Sequence, residues 1–374
     1  MISKIKYFVN RNRLNIPGWR TNHKFVVIES DDWGSIRMPS KEVYMKLLNA
    51  GIRVDKCPYN QYDSLASEKD LMYLFDVLTQ FKDINGNHPV LTANCTVANP
   101  DFDKIKASGF SEYYYEYFTE TLKRYPNHNR SFELWKQGIN ENVFYPQFHG
   151  REHLNVPRWM NALRNNLPET ILTFNLGLFG LSTNITSEKR KSYLAALEFD
   201  TEQERLEKHV IIRDGLNIFE KIFGYKSLSF VAPNYTWSCD LHKVLYENGV
   251  KYFQSFHKQF HPNLSGKCNT DIQRYLGEQN EYRQTFLIRN CFFEPSLNHT
   301  VDPVDSCLKE IQIAFFWNKP AIISAHRLNF IGELVPENRN KNLKSLKSIL
   351  REMQKKWPEV EFLSSDNLGM NINA

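Results

Sequence analysis

The stretch Phe25-Val-Val-Ile-Glu-Ser-Asp-Asp-Trp-Gly-Ser35 reads as a short buried strand that breaks into a polar turn. Its apolar half shows no in/out alternation, as expected of a strand covered on both faces, the habit of parallel sheets flanked by helices. The same grammar recurs along the chain. Strands are expected at 25–29, 90–94, 143–148, 171–174, 228–231, 252–255, 286–292, 321–325 and 361–363. Helical periodicity fills the gaps, at 41–50, 69–81, 111–124, 157–164, 187–223, 240–248, 304–317 and 341–356. Strand followed by helix, repeated, specifies an α/β fold with a parallel sheet, and this many strands suit a barrel better than a small open sheet.

Composition agrees with one large globular unit. The 374 residues are 41% hydrophobic and include 26 Phe, 18 Tyr and 7 Trp, enough for an extensive core and incompatible with global disorder. Gly and Pro, at 16 each, exclude collagen-like and low-complexity chains. The 47 basic and 42 acidic residues give a formal charge of +5, spread rather than gathered into a stripe, so no nucleic-acid partner is expected. Six scattered cysteines without a CxxC pair signal neither a disulfide framework nor a cysteine-bound metal. No apolar run approaches the roughly 18 residues of a membrane span, and the first residues lack a signal-peptide core, so a cytoplasmic setting is expected. Residues 1–20 read as an N-terminal extension and 21–374 as a single barrel domain, with polar insertions at 55–67, 125–142 and 258–280.

In a barrel of this kind chemistry gathers at the carboxyl ends of the strands. There the first strand offers Asp31 and Asp32, and the third offers His149-Gly-Arg-Glu-His153, two imidazoles four apart that would share one face if the turn is helical. The apolar run 321–325 delivers His326. His257 and His261 repeat the four-residue spacing after another strand, and His149-x-x-Glu152-His153 also fits an inverted zinc-peptidase motif with Glu152 as general base. Aromatic residues near the same strand ends, Trp33, Trp159, Tyr235 and Trp237, are candidates for stacking on sugar rings.

The order of these motifs resembles the polysaccharide deacetylase superfamily, the NodB-homology or carbohydrate esterase 4 type, over residues 25–369. The resemblance implies an irregular (β/α)7 barrel, with loop insertions here. It also implies a hydrolase that deacetylates an N-acetylated sugar or polysaccharide by attack of metal-activated water on the amide carbonyl. On that pattern Asp31 is the general base, His326 the general acid, and Asp32, His149 and His153 hold one divalent metal ion, zinc being the usual occupant. The turn Val231-Ala-Pro-Asn-Tyr235 matches the motif that binds the oxyanion, bringing Asn234, Tyr235 and Trp33 to the substrate side, and the motif order sets His257 and His261 aside. Three positions depart from the pattern. Val231 stands where the family has the arginine that orients the base, Trp33 separates Asp32 from Gly34, and Arg327 follows the candidate acid. Arg289, on a neighbouring strand, is the candidate replacement for the missing guanidinium. Two other readings keep the same rim: a glycoside hydrolase-like enzyme, or a carbohydrate-binding protein without catalysis. The Asp31 and His326 pair separates them, since a binder has no need of both.

Overall fold

The computed structural model describes residues 2–264 and 270–374. Among the described residues one sheet holds nine strands, all parallel: β1 Lys24–Trp33, β2 Leu91–Cys95, β3 Phe144–Phe148, β4 Ser229–Phe230, β5 Tyr252–Ser255, β6 Thr285–Ile288, β7 Cys291–Phe292, β8 Ala321–His326 and β9 Val360–Leu363. They are ordered β6-β5-β4-β3-β2-β1-β8-β7, with β9 also on β1.

Two features turn nine segments into the seven staves of an irregular (β/α)7 barrel. First, β8 runs along one edge of β1 from Val26 to Asp31, while β9 takes the opposite edge at Lys24–Val27 and β2 takes it from Ile28 onward, so β9 and β2 share a stave. Second, the sheet's outermost strands, β6 and β7, are separated only by Arg289 and Asn290. Two residues reach roughly 10 Å at most, so the sheet has to curl until its edges meet. The crossing is visible in the backbone: Arg289 N–H donates to Ser255 O at 2.9 Å, still on β5, and Asn290 N–H donates to Ile322 O at 3.2 Å, already on β8. The single strand expected at 286–292 is therefore two halves of one closing stave.

Three expected elements differ from those found. Residues 171–174 lie inside a helix, Pro168–Asn175. A four-residue apolar run carries no period of its own, and Pro168 near the helix start presets the dihedral there. The helix expected from 187 begins only at Glu202, where the Thr201 side chain accepts from Glu204 N–H; before it, Arg158 pairs with Glu198 and Asp200 and holds the chain in irregular form. Within 111–124 a strand, Tyr115–Tyr117, pairs antiparallel with Ala98–Pro100 before the helix Phe118–Arg124 starts.

Much of the Phe-rich composition goes into the core, where aromatic rings pack among a larger number of aliphatic side chains. Trp33, 1% exposed, meets Phe144 at 4.9 Å and Trp135 at 6.1 Å between ring centroids, both edge-on. The five described cysteines are free thiols, four of them buried, and Cys268 lies outside the described residues. No described helix is long and apolar enough to cross a membrane.

Candidate active site

Neighbouring residues on a regular strand face opposite ways, so Asp31 and Asp32 need a local irregularity to reach one site. The pairing of β1 with β2 slips between Ser30 and Trp33, and Asp32 adopts a left-handed backbone with φ 75°. Such a bulge re-aims side chains at a strand end, at a cost of order 1–3 kcal/mol for the left-handed non-glycine residue. Gly34 completes the turn at φ 82°, where a Cβ would lie 2.4 Å from Thr96 O. On the adjacent strand β8, His326 is the register partner of Asp31.

Asp32, His149 and His153 come together, with ligand atoms all within 4.8 Å of one another and all three side chains buried. Asp32 Oδ1 is 3.6 Å from Nε2 of each imidazole. That is long for a hydrogen bond, and close to the roughly 3.4 Å that separates tetrahedral ligands about 2.1 Å from a common ion. His149 Nδ1 lies 2.8 Å from Val231 O; donating its proton there leaves the Nε2 lone pair free for a metal. Burial pushes the His153 imidazole down to about 3, so it is neutral, the metal-binding form. The donor set and its spacing fit a divalent transition metal. The histidines do not sit on one helical face as the spacing suggests. Residues 149–155 are non-helical, Gly150 has φ 104°, and the next helix starts at Val156.

The other oxygen of Asp32 accepts from Arg37 at 3.0 Å. Burial alone would raise its pKa, but the Arg37 charge and the histidines hold it well below the usual carboxylate range. Arg37 Nε is 3.6 Å from Asp63, which takes a two-pronged bond from Arg327 at 2.9 and 3.0 Å. Arg327, out of pattern in the sequence, is thus a buried strut between the 55–67 insertion and the strand end, where it also donates to Ser35 O at 2.9 Å.

Asp31 is gripped by Arg289 at both oxygens, at 2.6 and 2.7 Å, and Asn94 donates to Oδ1 at 2.8 Å. Burial would raise this carboxyl too; the Arg289 charge and its paired hydrogen bonds instead hold it far below the ordinary value. Arg289 is 1% exposed and donates through Nε to Glu29 at 2.6 Å and through Nη1 to the Tyr235 hydroxyl at 2.9 Å. A guanidinium thus reaches Asp31 from the closing stave, as expected of Arg289. Opposite, His326 Nδ1 is 2.6 Å from Glu294 Oε1. Against the lowering effect of burial, the Glu294 charge lifts His326 to about 9.

Several expected site residues lie elsewhere. Trp33 is core, its indole donating to Ser30 Oγ at 2.9 Å, and Trp159 and Trp237 are also fully buried, so none forms a sugar platform. Tyr235 is half-buried beside Arg289, and Asn234 lies exposed at the turn, donating to Leu194 O at 3.2 Å. Both have left-handed backbones, with φ of 53° at Tyr235 and 56° at Asn234. Glu152 is buried and accepts at Oε1 from Arg151 at 2.8 Å and Tyr113 at 2.9 Å, and it is not among the residues gathered at the candidate metal site. The strand Lys258–His261 extends the chain by roughly 3.3 Å per residue, too far for His257 and His261 to share an ion.

Five contributors went unseen in the sequence: Arg37, Asp63, Glu294, Tyr59 and Asn94. The Tyr59 ring stands edge-on to His326 at 5.4 Å and beneath Arg37 at 5.7 Å, and burial, then the Glu294 charge, raise its phenol well above the usual value. Glu294 carried a local signal, following the short strand β7 as the other site residues follow theirs.

The sequence matches no family model and no curated protein. Among solved structures the chain is similar to a "putative polysaccharide deacetylase" from Mycobacterium smegmatis, at 12% identity, covering 96% of this chain and 93% of that one with a TM-score of 0.48. It is also similar to a "probable Polysaccharide deacetylase" from Pseudomonas aeruginosa PAO1, at 8% identity, 93% and 91% coverage and a TM-score of 0.47. A third is the PuuE allantoinase, at 9% identity, 95% and 93% coverage and a TM-score of 0.47.

Proposed function

We propose that the chain is a metal-dependent hydrolase that removes the acetyl group from an N-acetylated sugar or polysaccharide. The observation that carries the reading is the opposed setting of two groups beside one candidate metal site: a carboxylate held ionised by Arg289 and an imidazole held protonated by Glu294. Titratable neighbours pushed in opposite directions are the mark of an acid and a base.

Asp32, His149 and His153 would hold the ion, and one carboxylate with two imidazoles suits zinc. A bound divalent ion polarises an acyl oxygen and lowers the pKa of water enough for a weak carboxylate to serve as base. Asp31 has about four lone-pair positions. Arg289 takes one on each oxygen and Asn94 takes one on Oδ1, leaving Oδ2 to accept a proton in a fixed direction. His326 donates through Nδ1 to Glu294, so its Nε2 proton is the one available to the departing amine. A carbohydrate-binding protein would have no use for this pair.

Acetate release from N-acetylated oligosaccharides by the metal-loaded chain tests the reading. Asp31→Asn should reduce turnover by roughly 10²- to 10⁴-fold while leaving bound metal unchanged. A metal-loaded wild type that releases no acetate from any such sugar overturns it.

A further inference from the structure

A cavity of about 450 Å³ lies between the N-terminal helix, Ile2–Leu14, and the start of the ribbon formed by Lys258–His261 and Thr270–Gln273. Asn10, Arg11 and Arg13 come from the helix; Phe256, His257 and Gln273 face them. This cavity adjoins the catalytic rim. Phe256 follows the carboxyl end of β5, and its ring centroid is 5.9 Å from that of Tyr235, whose hydroxyl accepts from Arg289. On its other side Phe256 meets Phe292 edge-on at 5.8 Å, and the Arg11 guanidinium lies 4.5 Å from the Phe292 ring centre.

The charges lining it do not cancel. Arg11 is matched by Glu310 at 2.8 Å and Lys258 by Asp271 at 2.7 Å. Arg13 is exposed and makes no side-chain hydrogen bond or ion pair among the described residues. His257 Nδ1 is buried with no hydrogen-bond partner. Burial, with the positive charges of Lys258 and Arg11, pushes this imidazole down to about 4, leaving it neutral with one N–H to donate. The side-chain amides of Asn10 and Gln273 add further donors.

We propose that this cavity is a subsite for an anionic substituent of the carbohydrate, a carboxylate, sulfate or phosphate, positioned while the N-acetyl group lies at the neighbouring centre; this rests on the deacetylase reading. An uncompensated guanidinium ringed by neutral donors recognises an anion by charge and hydrogen bonds together, and the Phe256 ring, packed on Tyr235, sets the cavity beside the catalytic rim.

Titration calorimetry of the metal-loaded full chain tests the proposal. The ligands are an N-acetylated oligosaccharide carrying a carboxylate, its sulfated and phosphorylated counterparts, and the neutral sugar. At least one anionic form should bind tenfold or more tightly than the neutral one, and which form does so names the anion. Arg13→Glu should erase that preference without changing affinity for the neutral sugar. Equal binding of all four sugars by the wild type overturns the subsite, as does a preference that survives in Arg13→Glu. The two readings separate cleanly. An anion preference without acetate release sinks the deacetylase and keeps the subsite, whereas acetate release from all four sugars with equal binding does the reverse.

Discussion

Arg289 shows how one side chain on the closing stave can serve two carboxylates of β1. It pairs with both Asp31 and Glu29 in the buried interior, where an unpaired charge costs several kcal/mol. Arg289→Gln should therefore reduce kcat/KM by 10²-fold or more, and Arg289→Lys, which keeps the charge and loses the fork, by less. The direction on pH follows from the sign of the shift. Asp31 is held low and, on the proposed mechanism, works ionised, so losing Arg289 should raise its pKa and move the acid limb of the kcat/KM profile to higher pH; an unmoved limb would show that Asp31 is not the base. His326 has the opposite sign. On the same proposal it works protonated, and it sits at about 9 because of Glu294, so activity should fall as pH rises through that value. Glu294→Gln should bring the basic limb down toward the ordinary histidine value of 6.5, seen in the same profiles. The positions of Asp31, Asp32, His149 and His326 were legible because they stand at or directly after strand ends, which are written in short apolar runs, and His153 through its four-residue spacing from His149. Arg37, Asp63 and Tyr59 were not, because they come from the turn after β1 and the following insertion, whose path over the rim is set by tertiary contacts.

Elements carry the site's precision. The helix Glu202–Phe223 has Gly215 against the end of β3, where an added Cβ would lie 2.7 Å from Phe148 Cζ and 3.0 Å from Arg151 Cβ. Phe148 is fully buried and directly precedes His149. Alanine in place of glycine gains up to about 1 kcal/mol of helix propensity, but overpacking a dense core costs about 1–3 kcal/mol. With Phe148 unable to retreat, the second effect should win. Gly215→Ala should lower the thermal midpoint and also weaken metal binding, read by titration with zinc. A stability loss with unchanged metal affinity would mean that the helix supports the barrel without fixing the ligand. The same scale shows where pattern reading fails: 171–174 and 286–292 are both short apolar runs, yet one is helix and the other is a strand that changes partners midway. Only the Pro at 168 and the distance between the sheet's edges tell them apart.

At the scale of the molecule, the candidate metal site links strands that are apart in the sheet order. Asp32 comes from β1, His149 and His153 follow β3, and the acceptor that orients His149 is Val231 O, just after β4. An ion held there would tie staves that are not neighbours, since β2 lies between β1 and β3. A ligand that binds only the folded state stabilises by RT ln(1 + [L]/Kd), about 2.7 kcal/mol at 100 times Kd. For a chain of this length that corresponds to a rise on the order of 5 °C in the thermal midpoint. Zinc should therefore raise the midpoint of the chelated protein, and His149→Ala should abolish the response while changing the metal-free midpoint less, because without the ion His149 makes one hydrogen bond to Val231. Asp31→Asn, which lies outside the ligand set, should keep the full response even though it loses turnover. A midpoint indifferent to zinc in the wild type, or a rise that persists in His149→Ala, would place the metal elsewhere and leave Asp32, His149 and His153 as a buried polar cluster.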